Sequence, residues 1–108
     1  NKKNFYFFLN LGNINYVQLA KNCEMVLGNS SSQIYEIPFL GIRSLLIGSR
    51  QLGRCMSNRI IKTRIKNNEL LNCIKKNINK KQPKKEFKTY GNGSASLKIF
   101  KKIREYCL

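Results

Sequence analysis

The chain has 108 residues, with 21 lysines and arginines against 5 acids, and its formal net charge is +16 at pH 7. This length suits one domain with a modest core, and so strong a positive charge is typical of proteins that bind a polyanion. The acids are all glutamates, and the chain has neither histidine nor aspartate. Because catalytic triads and most acid–base pairs need histidine or clustered carboxylates, these features predict a protein that is not an enzyme, with no catalytic residues and no cofactor.

The four cysteines, Cys23, Cys55, Cys73 and Cys107, lie far apart in the sequence and form no C-x-x-C pair. This spacing favours reduced thiols that pack as small hydrophobic groups over a zinc site or a disulfide framework. No apolar run approaches the roughly 18 residues that a membrane-spanning helix requires. The sequence therefore predicts no bound metal and no transmembrane segment.

The N-terminal part combines an aromatic run with a helical pattern. Residues 1–12 are interpreted as an N-terminal arm or strand, in which the run at 5–9 has β propensity. Apolar residues recur at helical spacing over residues 14–27, with Asn13 as a candidate N-cap and Gly28 where a C-cap glycine belongs. This pattern predicts the first helix.

The next segment is predicted to contain no helix. Residues 29–33 read as a polar loop, and residues 34–39 as extended chain, since Pro38 disfavours the helical conformation at the residue before it. The nearly continuous apolar run at 42–47 predicts a strand that is covered on both faces.

The remaining elements are predicted from alternation and spacing. Residues 58–66 alternate as a strand with one basic face, and residues 67–78 place leucine and isoleucine at helical spacing. After the glycine turn at 91–93, residues 96–103 read as a last strand. The predicted fold is α+β: a single small domain with a helix packed on a mostly antiparallel sheet and a basic C-terminal part.

Eighteen of the 21 basic residues follow position 42, so residues 43–108 are predicted to face the polyanion. The stretch GSRQLGR at 48–54 has glycines that would let backbone N–H groups approach a phosphate, but it matches neither the Walker pattern nor G-x-G-x-x-G. Contact with a nucleic-acid backbone is therefore favoured over a nucleotide site. The predicted RNA-contacting residues are Arg43, Arg50, Arg54, Arg59, Lys62, Arg64, Lys66, Lys84, Lys85, Lys88, Tyr90, Lys98, Lys101 and Lys102.

Several stretches resemble, in order, the C-terminal domain of small-subunit ribosomal protein three. LGIRSLLIGSRQLGRCMSNR resembles its G-I-[KR] strand and the basic turn that follows, and KTYGNGSASLKIFKK resembles its closing T-T-Y-G turn and strand. AKNCEMVLG and NELLNCIKKNI fall where that domain has the end of a helix and a leucine-rich segment. The resemblance covers residues 13–104.

This resemblance implies a protein of the small-subunit head of a mitochondrial ribosome, with ribosomal RNA and neighbouring small-subunit proteins as partners. The family's N-terminal KH domain is absent, which implies a fragment or a separate chain that carries it. Residues 29–40 would be an insertion. The basic triplet associated with unwinding of messenger RNA falls on Ile14, Asn15 and Gln18, so that activity is not expected.

The leading hypothesis is therefore a structural constituent of an organellar small ribosomal subunit, with no small-molecule substrate. Plastid or cytoplasmic ribosomes are less favoured locations than the mitochondrial matrix. Two alternatives remain open: another mitoribosomal RNA-binding protein, and a basic membrane-surface or assembly factor that would use the aromatic arm as an anchor.

Overall fold

The computed structural model describes residues 4–107, so the first three residues of the predicted N-terminal arm lie outside the described residues. Within the described part, four helices and three strands follow one another along the chain. They are α1 (Gly12–Lys21), β1 (Val26–Gly28), α2 (Ser32–Leu40), β2 (Ser44–Ile47), β3 (Ile61–Thr63), α3 (Asn67–Asn77) and α4 (Ala95–Cys107).

The three strands form one sheet in the order β1-β2-β3. Both pairs are parallel, with Leu27 opposite Leu45 and Leu46 opposite Lys62. The α+β class is confirmed, but the expected mostly antiparallel arrangement is wrong. Parallel neighbours need a long crossover, and α2 supplies the first one, while the irregular segment 48–60 supplies the second.

Helix α2 forms despite Pro38, because burial outweighs the local bias of the residue before proline. Ile34 and Ile37 are fully buried on one face of the helix, and Leu45 of β2 is the third fully buried large side chain. Pro38 lies in the last turn, and the helix ends at Gly41, whose φ of 76° is left-handed. The extended chain predicted for residues 34–39 is therefore wrong.

The core is small and is divided between two clusters of buried residues, each of which contains one isoleucine of α2. One cluster contains Ala20, Ile37 and Ile42, which links α1 and α2 to the start of β2. The other contains Ile34, Leu46 and Ile60, with Met56 and Tyr90 packed against it. Burial of these side chains, at about 25 cal/mol per Å² of apolar surface, holds α2 on the sheet.

The structure confirms some of the other predicted helices and strands and corrects the rest. The strand at 42–47 and the helix at 67–78 are confirmed as β2 and α3. The predicted helix over 14–27 ends at Lys21, and its last residues instead form β1. Residues 5–9 form neither helix nor strand and expose their side chains.

The last predicted strand is wrong, since residues 95–107 form α4. Its apolar residues Ile99, Ile103 and Tyr106 follow the i, i+4, i+7 spacing of a helix face. The predicted strand over 58–66 is shortened to the three residues of β3. None of the helices in residues 4–107 has the length and hydropathy of a membrane span.

Candidate functional site

The three parallel strands end side by side and create one edge from which functional loops leave. β1 ends at Gly28, which lies opposite Leu46, and β2 ends at Ile47, which lies opposite Thr63. Ligands of open sheets with parallel strands bind outside the carboxyl ends of those strands. We therefore expect a ligand-binding site at this carboxyl edge.

The turn from β1 into α2 presents an unusually polar helix N-terminus. Asn29, Ser30 and Ser31 are exposed and connect Gly28 directly to the first helical residue, Ser32. The Ser30 hydroxyl accepts a hydrogen bond from the Ser32 N–H at 3.3 Å, and the Ser31 side chain makes no capping hydrogen bond. A helix N-terminus carries partial positive charge, so this turn suits an anion.

Buried polar contacts fix this turn to the sheet. The Ser44 hydroxyl lies 2.8 Å from the backbone oxygen of Gln33 and 2.9 Å from its Oε1, and both residues are buried. A Cβ added at Gly28 would lie 3.2 Å from Nε2 of Gln33. Glycine at position 28 therefore lets the chain turn close against Gln33, which anchors the first turn of α2 on β2.

A second loop, Gly48–Gly53, leaves the carboxyl end of β2 beside the first. Gly48 and Gly53 have φ angles of 78° and 81°, which strongly favour glycine. Gln51, between them, is buried, and its Nε2 donates to the backbone oxygen of Asn29 at 2.8 Å. This hydrogen bond ties the loop after β2 to the loop after β1.

The same edge carries exposed cations and an open cleft. Arg50 and Arg54 are exposed in the loop after β2. The cleft, with a volume of about 760 Å³, lies between the exits of β2 and β3. Its lining consists of Gly48, Ser49, Leu52, Lys62, Thr63, Arg64, Ile65 and Glu69.

Among the residues predicted to contact RNA, Arg43 is buried and points into the protein. Its side chain donates to the backbone oxygens of Ile78 at 3.3 Å and Lys81 at 2.7 Å, and also to that of Lys80. A weaker contact reaches the backbone oxygen of Glu24 at 3.5 Å. The guanidinium thus joins the start of β2 to the segment after α3, away from the carboxyl edge.

Arg59 and Tyr90 belong to a second cluster on the loops. Arg59 donates to the backbone oxygen of Lys84 at 2.7 Å and pairs with the buried carboxylate of Glu86 at 3.5 Å. The Tyr90 hydroxyl accepts from the Ser57 N–H at 2.7 Å, and burial raises the pKa of that hydroxyl above its ordinary value.

Glu86 holds this cluster together. The hydrogen bond from the Ser57 hydroxyl, at 3.0 Å, lowers the pKa of the Glu86 carboxyl, and the N–H groups of Thr89 and Lys88 act in the same direction. The charge of Arg59 contributes less. Burial opposes these effects but does not outweigh them, so the carboxylate stays ionised at neutral pH.

The remaining predicted residues are exposed and spread over separate surfaces. Lys62, Arg64 and Lys66 lie on β3 or just after it. Lys84, Lys85 and Lys88 lie on the segment between α3 and α4, and Lys98, Lys101 and Lys102 lie on α4. The fold thus brings only Arg50, Arg54, Lys62, Arg64 and Lys66 to the carboxyl edge.

Sequence reasoning missed the residues that build the turn between β1 and α2. Ser30, Ser31 and Gln51 were not among the predicted site residues, because Gly28 was interpreted as the end of a helix and Pro38 as a helix breaker. The available signal was a glycine followed by a run of small polar residues between two apolar segments. That pattern suits the strand-to-helix turn of a nucleotide-binding unit.

Comparison with known proteins identifies the family of this chain. The family model described as UDP-N-acetylglucosamine 2-epimerase matches residues 1–104. The chain belongs to the UDP-N-acetylglucosamine 2-epimerase family. It is also 43% identical over 58 residues to the GDP/UDP-N,N'-diacetylbacillosamine 2-epimerase (hydrolyzing) of Campylobacter jejuni subsp. jejuni. That match covers 54% of this chain and 15% of the length of the relative.

Family membership overturns the ribosomal interpretation. The resemblance to ribosomal protein three is wrong, and so are the mitochondrial-ribosome location and the ribosomal RNA-binding function. Ribosomal RNA and ribosomal proteins as partners, and the lack of a small-molecule substrate, are equally wrong. Short motifs rich in glycine and basic residues produced the resemblance, since such residues suit a nucleotide diphosphate as well as an RNA backbone.

The expectation of a non-enzymatic protein is also wrong, because the family is one of enzymes. That expectation required a full set of acid–base residues within the 108 residues. A segment equal to 15% of a relative's length can hold a binding edge without that full set. Within residues 4–107, no three histidine, cysteine, aspartate or glutamate side chains gather as a metal site would require, and all four cysteines are free.

Proposed function

We propose that this chain forms part of a sugar-nucleotide 2-epimerase and that its carboxyl edge binds the diphosphate of the substrate. The observation that carries the proposal is the turn Asn29–Ser31, which leads from a parallel strand straight into the N-terminus of α2. In that position, the positive end of the helix dipole faces the turn. Membership of the epimerase family makes a nucleotide sugar the fitting anion.

Neighbouring side chains complement the charge of a diphosphate. The hydroxyl groups of Ser30 and Ser31 are exposed on the turn, and Arg50 and Arg54 are exposed on the adjacent loop. Charge-assisted hydrogen bonds from arginine to phosphate are roughly twice as strong as neutral ones. Gln51 holds the two loops together through Asn29, so the serines and the arginines stay on one edge.

A sugar nucleotide also carries hydroxyl groups, and Glu36 is the candidate acceptor for them. It is exposed on α2, one helical turn after the helix begins at Ser32. A carboxylate can accept hydrogen bonds from ribose hydroxyls. We infer a substrate class of UDP-linked 2-acetamido sugars from the family description and from the name of the Campylobacter relative.

The proposed chemistry gives the carboxyl edge a role beyond binding. In a hydrolysing reaction, the oxygen of water becomes a hydroxyl of the sugar and one proton of that water is released to solvent. The C–O bond to the nucleoside diphosphate breaks, and its electron pair goes to the departing phosphate. A preorganised helix N-terminus and nearby arginines stabilise the negative charge that develops there.

Binding measured on matched aspartate variants tests the proposal. Ser31→Asp places a negative charge at the N-terminus of α2, where it favours the helix but repels a diphosphate. Calorimetric titration with UDP-N-acetylglucosamine is expected to show at least tenfold weaker binding than for the unsubstituted protein. Ser96→Asp, with the same charge in the first turn of α4, is the matched control and is expected to bind normally.

Two results would contradict the proposal. One is that the unsubstituted protein binds neither UDP-N-acetylglucosamine nor UDP. The other is that Ser31→Asp and Ser96→Asp weaken binding equally, since the effect would then reflect net charge and not the turn at α2.

A further inference from the structure

Only one of the two polar atoms of the Gln51 side-chain amide has a hydrogen-bond partner among residues 4–107. Gln51 is 4% exposed, and its Nε2 donates to the backbone oxygen of Asn29 at 2.8 Å. Its Oε1 is buried and has no hydrogen-bond partner among residues 4–107. Buried side-chain oxygens nearly always accept a hydrogen bond, so this acceptor needs a donor.

The orientation of this amide is determined by its neighbour. If the amide were flipped, Oε1 would face the Asn29 oxygen, and two acceptors would meet without a proton between them. The nitrogen must therefore face Asn29. The free acceptor then lies on the side of the amide that faces away from the Asn29 oxygen.

Because Oε1 of Gln51 needs a donor, a ligand that satisfies it must carry an O–H or N–H group. A diphosphate at neutral pH offers acceptor oxygens, so it cannot satisfy Oε1. Hydroxyl groups and amide N–H groups can, and a UDP-linked 2-acetamido sugar carries both. Inorganic pyrophosphate carries no sugar hydroxyl and no amide N–H, and at neutral pH it offers at most one acidic P–OH proton.

We propose that Gln51 is a specificity-determining residue whose Oε1 accepts a hydrogen bond from a hydroxyl or amide hydrogen of the bound sugar nucleotide. Its Nε2 meanwhile holds the loop after β1 in place. This inference rests on the proposed function, since it assumes that the diphosphate lies at the N-terminus of α2. It adds that the neighbouring loop distinguishes a sugar nucleotide from a bare diphosphate.

Calorimetric titration of the full chain with UDP-N-acetylglucosamine and with inorganic pyrophosphate tests this inference. Gln51→Met keeps the length of the side chain and removes both polar atoms. We expect it to weaken binding of the sugar nucleotide about tenfold more than binding of pyrophosphate. Gln51→Glu keeps the acceptor but loses the donor to Asn29. It is therefore expected to weaken both ligands, through charge repulsion and through release of the loop after β1, while their affinity ratio stays within about twofold of the original.

Equal losses for the two ligands in Gln51→Met would overturn the inference, because they would indicate a purely structural role or an acceptor satisfied by water. A loss of the affinity ratio in Gln51→Glu as large as in Gln51→Met would also overturn it. If the unsubstituted protein binds neither ligand, the proposed function itself fails, which is a distinguishable result.

A measurement on the unsubstituted protein covers the case in which Gln51→Met does not fold, as judged by circular dichroism. The NMR chemical shift of the side-chain carbonyl carbon of Gln51 responds to hydrogen bonding at Oε1. UDP-N-acetylglucosamine is expected to move this signal, and pyrophosphate is expected to move it much less. Equal movement with both ligands would contradict the inference.

Discussion

The two ends of β2 each have a buried polar side chain, but the hydrogen bonding of the two side chains differs. At the amino end, the guanidinium of Arg43 donates to the backbone oxygens of Ile78, Lys80 and Lys81. At the carboxyl end, the amide of Gln51 has a partner for only one of its two polar atoms. Both side chains are about 96% buried, since each is 4% exposed. The difference separates two uses of a buried polar group. A buried polar group whose hydrogen bonds are all made within the protein stabilises the fold. A buried polar group that lacks a partner beside a helix N-terminus indicates a ligand.

The largest expected effect concerns the amino end. Arg43→Met leaves the carbonyl groups after α3 without a donor, and we expect the free energy of unfolding to fall by about 3 kcal/mol. Urea unfolding followed by circular dichroism measures this loss. Arg64→Met removes an exposed arginine and is expected to change stability by less than about 0.5 kcal/mol. Similar losses in both variants would show that Arg43 is not a structural clamp.

A smaller loss of stability is expected where the start of α2 is attached to β2. Ser44→Ala removes the hydroxyl that reaches Gln33, so the buried Oε1 of Gln33 loses its donor. The free energy of unfolding should fall by about 1–2 kcal/mol in the same urea experiment. Ser96→Ala, on the exposed surface of α4, serves as the control and should unfold at the unchanged urea concentration.

At the carboxyl end, substitutions should change affinity and leave stability alone. Arg50→Ala removes an exposed cation, and we expect UDP to bind about fivefold more weakly, with a free energy of unfolding within about 0.5 kcal/mol of the original. Calorimetry at two salt concentrations checks this, because added salt should reduce the difference. Arg104→Ala on α4 is the matched control. An equal loss of UDP affinity there would indicate a diffuse effect of net charge.

The smallest expected effect is a dependence of stability on pH that arises from the cluster around Glu86. Because the pKa of Glu86 is lowered in the folded state, its contribution to stability is present above the ordinary value of 4.5 and is lost as the pH falls through the folded-state pKa. Urea unfolding between pH 7 and pH 3 should show that decline. Glu86→Gln should decline less steeply, whereas Glu105→Gln, at an exposed ion pair, should follow the unsubstituted protein.

Parts of the fold could be predicted from local pattern alone. The apolar run before Gly48 and the spacing of Leu70, Leu71 and Ile74 were sufficient to predict β2 and α3. In α4, alternation between apolar and basic residues suggested a strand, although Ile99 and Ile103 are four residues apart and suit a helix equally well. Short apolar patterns leave this ambiguity, which the three-dimensional structure resolves.

The sheet direction and the site depended on one misjudged segment. Reading residues 34–39 as extended chain removed α2, and without this crossover helix the strands were expected to pair antiparallel. Without α2, the sequence prediction had no helix N-terminus at Ser31, so it assigned no function to the polar run after Gly28. Tertiary burial of Ile34 and Ile37 was the missing information, and the residue before a proline does not reveal it.

The irregular segment 80–90 carries five lysines, which by composition alone makes it an attractive substrate for trypsin. Its backbone, however, is held by Arg43 at Lys80 and Lys81, by Arg59 at Lys84 and Lys85, and by the Glu86 carboxylate at Lys88. A protease needs several consecutive residues released into an extended conformation before it can cleave. Cleavage between α3 and α4 should consequently be slow and should report the opening of the arginine and glutamate anchors.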